Sequence, residues 1–408
     1  MAELKRTLGL GACVFYGVGS ILGAGIYTLI GKTAGVAGNL TWLAFLIASI
    51  CALFTAFSYA ELSTAFPKAG GEYVYAKEAF GKKTGTVLGF IITLNGIITG
   101  SAVAVGFAGY FNDLTNTELG FIPLIIIGII FVVNAAGIQQ SSTINIIFTL
   151  IEVAGLVLVI VCGIPSFGEA NFLELPSGGF TGVFTAAALA FFAYVGFEEI
   201  VKLAEETRSP EKVIPRALFI TSAVVIVVYT LVSLSAVSAV PSGELASSGS
   251  PLADVVSSRI GEVGIVIISV IALFSTSNTI LSNMLGSSRI LFNMSKETKQ
   301  LSLFAKISAK RKTPIAALLL ILGIMCAFAL IRDIEIIARI ATIFIFITFF
   351  AVNVCVIVLR IRRKSLKPPY RIPFNIRNIP VMSVLGALMT LVLLVYNLIS
   401  LFTGEGEV

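Results

Sequence analysis

Four glycines fall within nine residues of the stretch Gly17-Val-Gly-Ser-Ile-Leu-Gly-Ala-Gly25. The stretch lies in the middle of an apolar run from Leu8 to about residue 30, long enough to cross a bilayer as one helix. Glycine costs a helix interior roughly 1 kcal/mol relative to alanine, so Gly23-Ala24-Gly25 either interrupts the helix or marks a close helix contact. An interruption at hydrocarbon depth survives only where the freed N–H and C=O groups face protein or a wet cavity. A half-helix starting there presents backbone N–H groups, and these make a site for an anion. A second candidate interruption is Phe191-Phe-Ala-Tyr-Val-Gly-Phe-Glu-Glu199, where Gly196 is followed by two acids. Carboxylates inside a span are expensive and usually functional. If the helix breaks between Ala193 and Gly196, Glu198 and Glu199 lie on the half nearer water; otherwise the helix ends early with Glu198 at the interface. Amides at one break and carbonyls at the other would suit the carboxylate and ammonium of an amino acid zwitterion. A third candidate is Glu152, in mid-span between Ile144 and Gly155.

The elements that must position these groups follow from composition. Of the 408 residues, 57% are hydrophobic and only 12% charged, against about 25% charged in an ordinary soluble domain. Apolar runs of about 20 residues recur throughout, the signature of an all-α polytopic membrane protein. Eleven spans are expected, near residues 8–31, 41–65, 84–111, 120–138, 143–164, 181–204, 216–240, 262–292, 313–331, 335–360 and 379–402. The polar stretch from Phe66 to Gly81 is too polar to be one of them. With the N-terminus in the cytoplasm, only Lys32, Arg259, Arg332 and Arg339 of the 28 Lys and Arg fall outside. That is a strong positive-inside pattern, and it places the acidic tail, Glu405 and Glu407, outside. The first run is too long for a signal peptide and lacks a small-residue cleavage site.

Interruptions in spans one and six give two halves that run in opposite directions, as in an inverted repeat. The halves are 8–164 and 181–360 of a single transporter domain, with 379–402 an additional helix. Substrate would then bind at the midplane between the two breaks.

The residues resemble the amino acid–polyamine–organocation superfamily of secondary transporters over nearly the whole chain. The match rests on Gly19-Ser-Ile-Leu-Gly-Ala-Gly-Ile26, on Ala60-Glu-Leu62 with Phe66-Pro-Lys-Ala-Gly-Gly-Glu-Tyr-Val-Tyr75, on Phe191-Phe-Ala-Tyr-Val-Gly-Phe-Glu198 with Ser209-Pro-Glu-Lys212, and on Ala272-Leu-Phe-Ser-Thr-Ser277. The resemblance implies a leucine-transporter-like bundle of five plus five helices in inverted repeat, with helices one and six broken. It implies substrate contacts from Ile21, Gly23, Ala24 and Gly25 at the first break, and from Phe192, Ala193 and Val195 at the second. Asn95, Gly96 and Gly100 fall where the third helix would line the side-chain pocket. The two small glycines suggest room for a sizeable side chain, and the lack of an acid favours neutral or broad amino acid specificity. That family usually has twelve spans rather than eleven.

Proton-coupled relatives carry a lysine at what looks like the position of Glu152. The acid here is expected to couple a proton, or to join a cation site with Ser275 and Ser277. The competing reading is a structural pairing with Asn145 or a hydroxyl. Other function classes are poorly served. Histidine is absent, which removes the commonest metal ligand and general base. The five cysteines sit in apolar runs without pairing or metal-ligand spacing, and no phosphate-binding Gly-x-x-x-x-Gly-Lys pattern occurs. The expectation is a proton-coupled amino acid symporter of the cytoplasmic membrane with no cofactor beyond a coupling proton or sodium ion. Its partners are a small amino acid and the lipid bilayer, not nucleic acid. An uncoupled amino acid or polyamine exchanger is the alternative. Glu61 and Arg289 lie near inner span ends, as snorkelling side chains or a gate pair, and Glu335 and Arg339 sit one turn apart at the outer end of the tenth span.

Overall fold

The structure is a computed structural model that describes residues 6–68, 70–115, 120–176, 178–308, 311–331 and 334–403. The acidic tail lies outside the described residues, as do the side chains of Ala24, Glu335 and Arg339 and hence the pairing expected of the last two. The first span is two helices, α1 (Leu10–Ile21) and α2 (Ala24–Ala37). Then come α3 (Thr41–Ala65), a short α4 (Gly71–Phe80), α5 (Lys82–Thr115), α6 (Ile122–Ala136) and α7 (Ile138–Gly163). The second half begins with α8 (Gly179–Phe191), two 3₁₀ segments (Phe192–Tyr194 and Phe197–Glu206) and α9 (Pro210–Ala239). Short α10 (Ser242–Ser247) and α11 (Pro251–Ile260) lead to α12 (Glu262–Glu297), α13 (Ile315–Ala329) and α14 (Ile334–Arg362). A two-residue hairpin, β1 (Asn375–Ile376) with β2 (Ile379–Pro380), precedes α15 (Val381–Thr403). Each of the eleven expected spans contains an apolar helix, and the polar stretch after Phe66 forms α4 instead of a span.

The long helices are apolar on nearly all sides, as expected when one face meets protein and the other lipid. Several of their packing pairs match under exchange of the first five spans for the next five. The helix pairs α3–α9 and α5–α12 map onto themselves. The contact of α1 with α9 is answered by that of α8 with α3, and α7 on α12 by α14 on α5. The first and sixth spans run antiparallel. Thr7 N–H donates to Glu206 O (2.9 Å) where one begins and the other ends, and α2 packs on α8 at the opposite end.

Loops assigned to the lysine- and arginine-rich side do cluster. Lys77 donates to Glu297 (2.6 Å), Lys296 to Glu205 (3.2 Å) and Arg363 to Glu78 (2.6 Å). The other side is tied by Asn39 to Glu174 (2.9 Å), Trp42 to Phe172 O (3.0 Å) and Arg259 to Ser166 (2.6 Å).

Glu61 and Arg289 are neither snorkelling nor paired with each other. Arg289 is fully buried and grips Glu206 with Nε–Oε2 2.9 Å and Nη2–Oε1 2.7 Å. Glu61 is gripped by Arg360 on the tenth span (Nε–Oε1 2.8 Å) and by the Ile372 amide (2.8 Å). A guanidinium matches a carboxylate at two points, which supplies each with hydrogen-bond partners in place of water. Removing one partner of such a pair leaves an uncompensated buried charge and costs about 3–5 kcal/mol. Glu206→Gln is therefore expected to lower the unfolding temperature in detergent strongly, whereas Glu78→Gln, in the half-exposed pair with Arg363, changes it little. Equal effects from the two substitutions would contradict the burial assigned to Arg289.

Candidate functional site

Both interruptions are present, and they touch. In the first, α1 stops at Ile21 and Gly23 sits at the N-cap position of α2, with no side chain capping the new helix start. The first N–H groups of any helix lack intrahelical partners, so this start offers donors to a ligand. In the second, α8 tightens into a 3₁₀ turn through Tyr194, Val195 is extended, and Gly196 takes φ +129°. This break supplies its own cap: the Gly196 N–H donates to Glu198 Oε2 at 2.8 Å. The two breaks therefore differ. The sixth span answers its freed donor with a carboxylate, whereas the first leaves its helix start free of side chains.

Glu198 and Glu199 are not near water, as expected from sequence, but 3% exposed each. Glu199 forms an ion pair with the equally buried Lys202. The chain beyond Gly196 stays 3₁₀ for ten residues, long for that winding; it carries Glu199 inward against Gly286 of α12 and turns Glu198 back to the Gly196 amide.

Contact between the breaks is backbone to backbone. A Cβ on Gly196 would collide with Ser20 O, and one on Gly25 would lie 2.9 Å from Ala193 Cα. Gly23 instead packs on a side chain, the hydroxyl of Thr279 on α12. Across the seam lies Tyr229 of α9, fully buried, whose hydroxyl donates to Ile21 O at 2.7 Å and lies 3.1 Å from Ala193 O. One hydroxyl thus closes the carbonyl ends of both broken helices. Its ring is held edge-on by Tyr194 (centroids 5.1 Å) and Phe45 (5.7 Å), and Tyr194 in turn donates to Phe45 O (2.9 Å).

Ile21, Gly23, Gly25, Ala193 and Val195 are brought to this seam, with Phe192 starting the 3₁₀ turn. Gly96 and Gly100 are not pocket space. A Cβ on Gly96 would collide with Ser287 Oγ of α12, and one on Gly100 would lie 2.5 Å from Met325 Cε of α13. The neighbouring helices already fill the room that these glycines leave, so their role is close packing of α5. Asn95 is buried on the same helix with Oδ1 unpartnered.

Glu152 is fully buried on α7. Ser275 Oγ donates to its Oε1, and Asn278 Nδ2 lies 3.5 Å from Oε2. Asn278 also donates to Thr149 Oγ1 (3.1 Å), and Asn145 donates to Asn278 Oδ1 (2.7 Å) rather than to Glu152. Ser277 turns away, its hydroxyl bonding back to Leu273 O (2.7 Å). Serines two apart on a helix cannot share a face, which explains why Ser275 joins the cluster and Ser277 does not. The cluster abuts the first break: Gly19 packs on Thr149 and Asn278, and Thr149 donates to Phe15 O (3.2 Å). Among the described residues Glu152 has no cationic partner, and no group of three or more His, Cys, Asp or Glu could hold a metal ion.

Sequence reading missed Tyr229, Thr279, Asn278 and Thr149. The last two lie three residues from Ser275 and Glu152, and helical spacing alone pointed to them.

Two broken spans meeting midway through a bundle of apolar helices define a polytopic membrane carrier. The sequence pattern described as amino acid permease matches residues 8–406, and the chain belongs to that family: it is a transporter, not an enzyme. It is 27% identical over 413 residues to the branched-chain amino acid permease BcaP of Bacillus subtilis, covering 96% of this chain and 88% of that one. It is 28% identical to the methylthioribose transporter of the same organism (94% and 87% covered). It is 29% identical to the vacuolar cationic amino acid transporter 4 of Arabidopsis thaliana (91% and 65% covered).

Gly196→Ala meets two obstacles, a positive φ and the Ser20 carbonyl, and no flexible side-chain end can move to relieve the second. We expect it to abolish recovery of monodisperse protein by size-exclusion chromatography. Gly243→Ala, where nothing lies within 4 Å, serves as the neutral control. A well-folded Gly196→Ala protein would show that the seam is not closed as described.

Proposed function

We propose that the protein is a secondary active transporter of amino acids that couples uptake to protons and works by alternating access. The observation that carries this reading is the asymmetric seam: uncapped amides on one broken helix facing two carbonyls held by a single displaceable hydroxyl. The helix start at Gly23, Ala24 and Gly25 takes the carboxylate, drawing on the amides and the helix dipole. The carbonyls of Ile21 and Ala193 take the ammonium in place of the Tyr229 hydroxyl. The one carboxylate bonded to the second break among the described residues, Glu198, is spent on the Gly196 amide, and Glu199 pairs with Lys202, so neither is left to pair with a cationic side chain. The substrate is accordingly a neutral amino acid. Both a branched-chain permease and a cationic amino acid transporter stand among the relatives, so the seam chemistry, not kinship, supports neutrality.

Glu152 is the coupling group in this account. A buried carboxylate with only neutral donors is uncompensated, and a proton from the transported pair supplies the compensation. Its link to substrate runs through Asn278 and Thr149 to Gly19, two residues before Ile21.

Two measurements test the proposal. In proteoliposomes, neutral amino acid uptake driven by an inward proton gradient is expected to collapse with an ionophore. In Glu152→Gln, residual uptake is expected to be insensitive to the gradient. Gradient dependence unchanged in that variant would remove Glu152 from coupling, and uptake only into preloaded vesicles would replace symport by exchange. Tyr229→Phe leaves two buried carbonyls short of a donor in the empty protein, at a cost of about 1–3 kcal/mol. It is expected to lower the unfolding temperature without substrate and to enlarge the increase that substrate produces. A smaller substrate-induced increase would make Tyr229 a substrate ligand instead of a placeholder.

A further inference from the structure

Far from the seam, the inner end of α3, the end of α14 and the chain that follows it line an open cavity of about 90 Å³ whose walls are unusually cationic. Arg360, Arg363, Lys364, Lys367 and Arg371 line it, and Glu61 is the one acid in the lining. That acid is already consumed. Arg360 and the Ile372 amide hold both its oxygens, so Glu61 fixes the floor of the cavity without offsetting the other cations. Arg363 reaches Glu78 only as a half-exposed pair, which contributes little in water. Arg371 donates to the neutral Asn378 amide oxygen. Lys364 and Lys367 are exposed and have no acidic partner among the described residues. The cavity therefore carries a surplus of positive charge around a pre-set base.

Its surroundings are apolar rather than aqueous in character. Phe374 is 71% and Ile376 68% exposed on the hairpin, and Ile361 is 56% exposed at the end of α14. Leu388 and Val392 of α15, the helix that follows the hairpin, are exposed as well. A phosphate with two hydrocarbon chains fits that combination: an anion in the cavity, and tails against the exposed apolar side chains. The end of the bundle is the one where Lys and Arg collect, and basic pockets between helices at such an end suit anionic headgroups.

We propose that this cavity holds the phosphodiester headgroup of an anionic phospholipid from the adjoining leaflet, bound by Lys364, Lys367 and Arg371 over the Arg360–Glu61 floor. The headgroup bridges α3, the end of α14 and the connection that leads to α15. Because the site shares no residue with the seam, the proposal stands or falls independently of the transported substrate.

Thermal unfolding of the full chain in detergent tests it, with phosphatidylglycerol, phosphatidylcholine of the same acyl chains, or inorganic phosphate added. Phosphatidylglycerol is expected to raise the unfolding temperature by several degrees and the other two to leave it in place. In the triple variant Lys364→Ala, Lys367→Ala, Arg371→Ala the rise disappears. In Lys83→Ala, Lys299→Ala, Lys306→Ala, which removes as many exposed charges from the same end, it persists. Equal stabilisation by the two lipids, or loss of the rise in both triple variants, would reduce the effect to general lipid or surface charge and overturn the site. An equal rise with inorganic phosphate would assign the cavity to a soluble anion and overturn the lipid. Should the first triple variant fail to fold, Lys364→Gln with Lys367→Gln carries the same test, since both side chains are exposed.

Discussion

Backbone polar groups freed inside a membrane must find partners within the protein, and the architecture is arranged around that requirement. Two spans are interrupted at the same depth, so each break can supply what the other lacks. Glycines at positions 25 and 196 let the broken ends approach until backbone meets backbone, while Gly23 packs on the Thr279 side chain of α12. The sixth span answers its freed amide with Glu198, and Tyr229 answers a carbonyl from each span. What is left is a helix start without a side-chain cap. A site assembled from main-chain groups is insensitive to side-chain identity around it, which suits recognition of the part that all amino acids share.

The same requirement explains the distribution of charge. The interior holds several acids and bases, yet they are sorted. Arg289 with Glu206, Arg360 with Glu61 and Lys202 with Glu199 are paired and near the cationic end. The two arginine pairs join spans that lie far apart in sequence, Glu206 and Arg289 by 83 positions and Glu61 and Arg360 by 299, whereas Lys202 and Glu199 are neighbours on one segment. Glu152 is different, being held by a serine and an asparagine only. A paired charge serves as a fastener; an unpaired one is free to change its protonation as the structure changes around it. Glu72 and Glu198 are also buried without an ion pair among the described residues, held by Tyr59 and by the Gly196 amide; what sets Glu152 apart is its place beside the first break, through Asn278, Thr149 and Gly19.

Much of the architecture was legible in the sequence because it follows from hydropathy and glycine. The span boundaries, the two breaks and the sidedness of the loops all come from local patterns. What escaped were relationships between distant segments. Gly96 and Gly100 looked like space for a substrate, but a missing side chain reads the same in sequence whether a ligand or Met325 fills the gap. Ser277 looked equivalent to Ser275 until helix geometry placed them on different faces. Glu198 and Glu199 looked solvent-facing because hydropathy cannot see a 3₁₀ segment that turns its acids inward. Tyr229 left no trace at all: a tyrosine in an apolar run has no local mark showing which carbonyl it will reach.

The central claim is that the two breaks hold the charged ends of one zwitterion. Ligand-induced stabilisation of the purified protein tests this most directly, because a ligand that binds only the folded state raises its unfolding temperature. A neutral amino acid found to stabilise the protein would be compared with its methyl ester and its N-acetyl derivative, each with one charge removed. The account predicts that both derivatives lose the stabilisation while the side chain is unchanged. Stabilisation that survives either modification would mean that the backbone seam is not where the substrate is held.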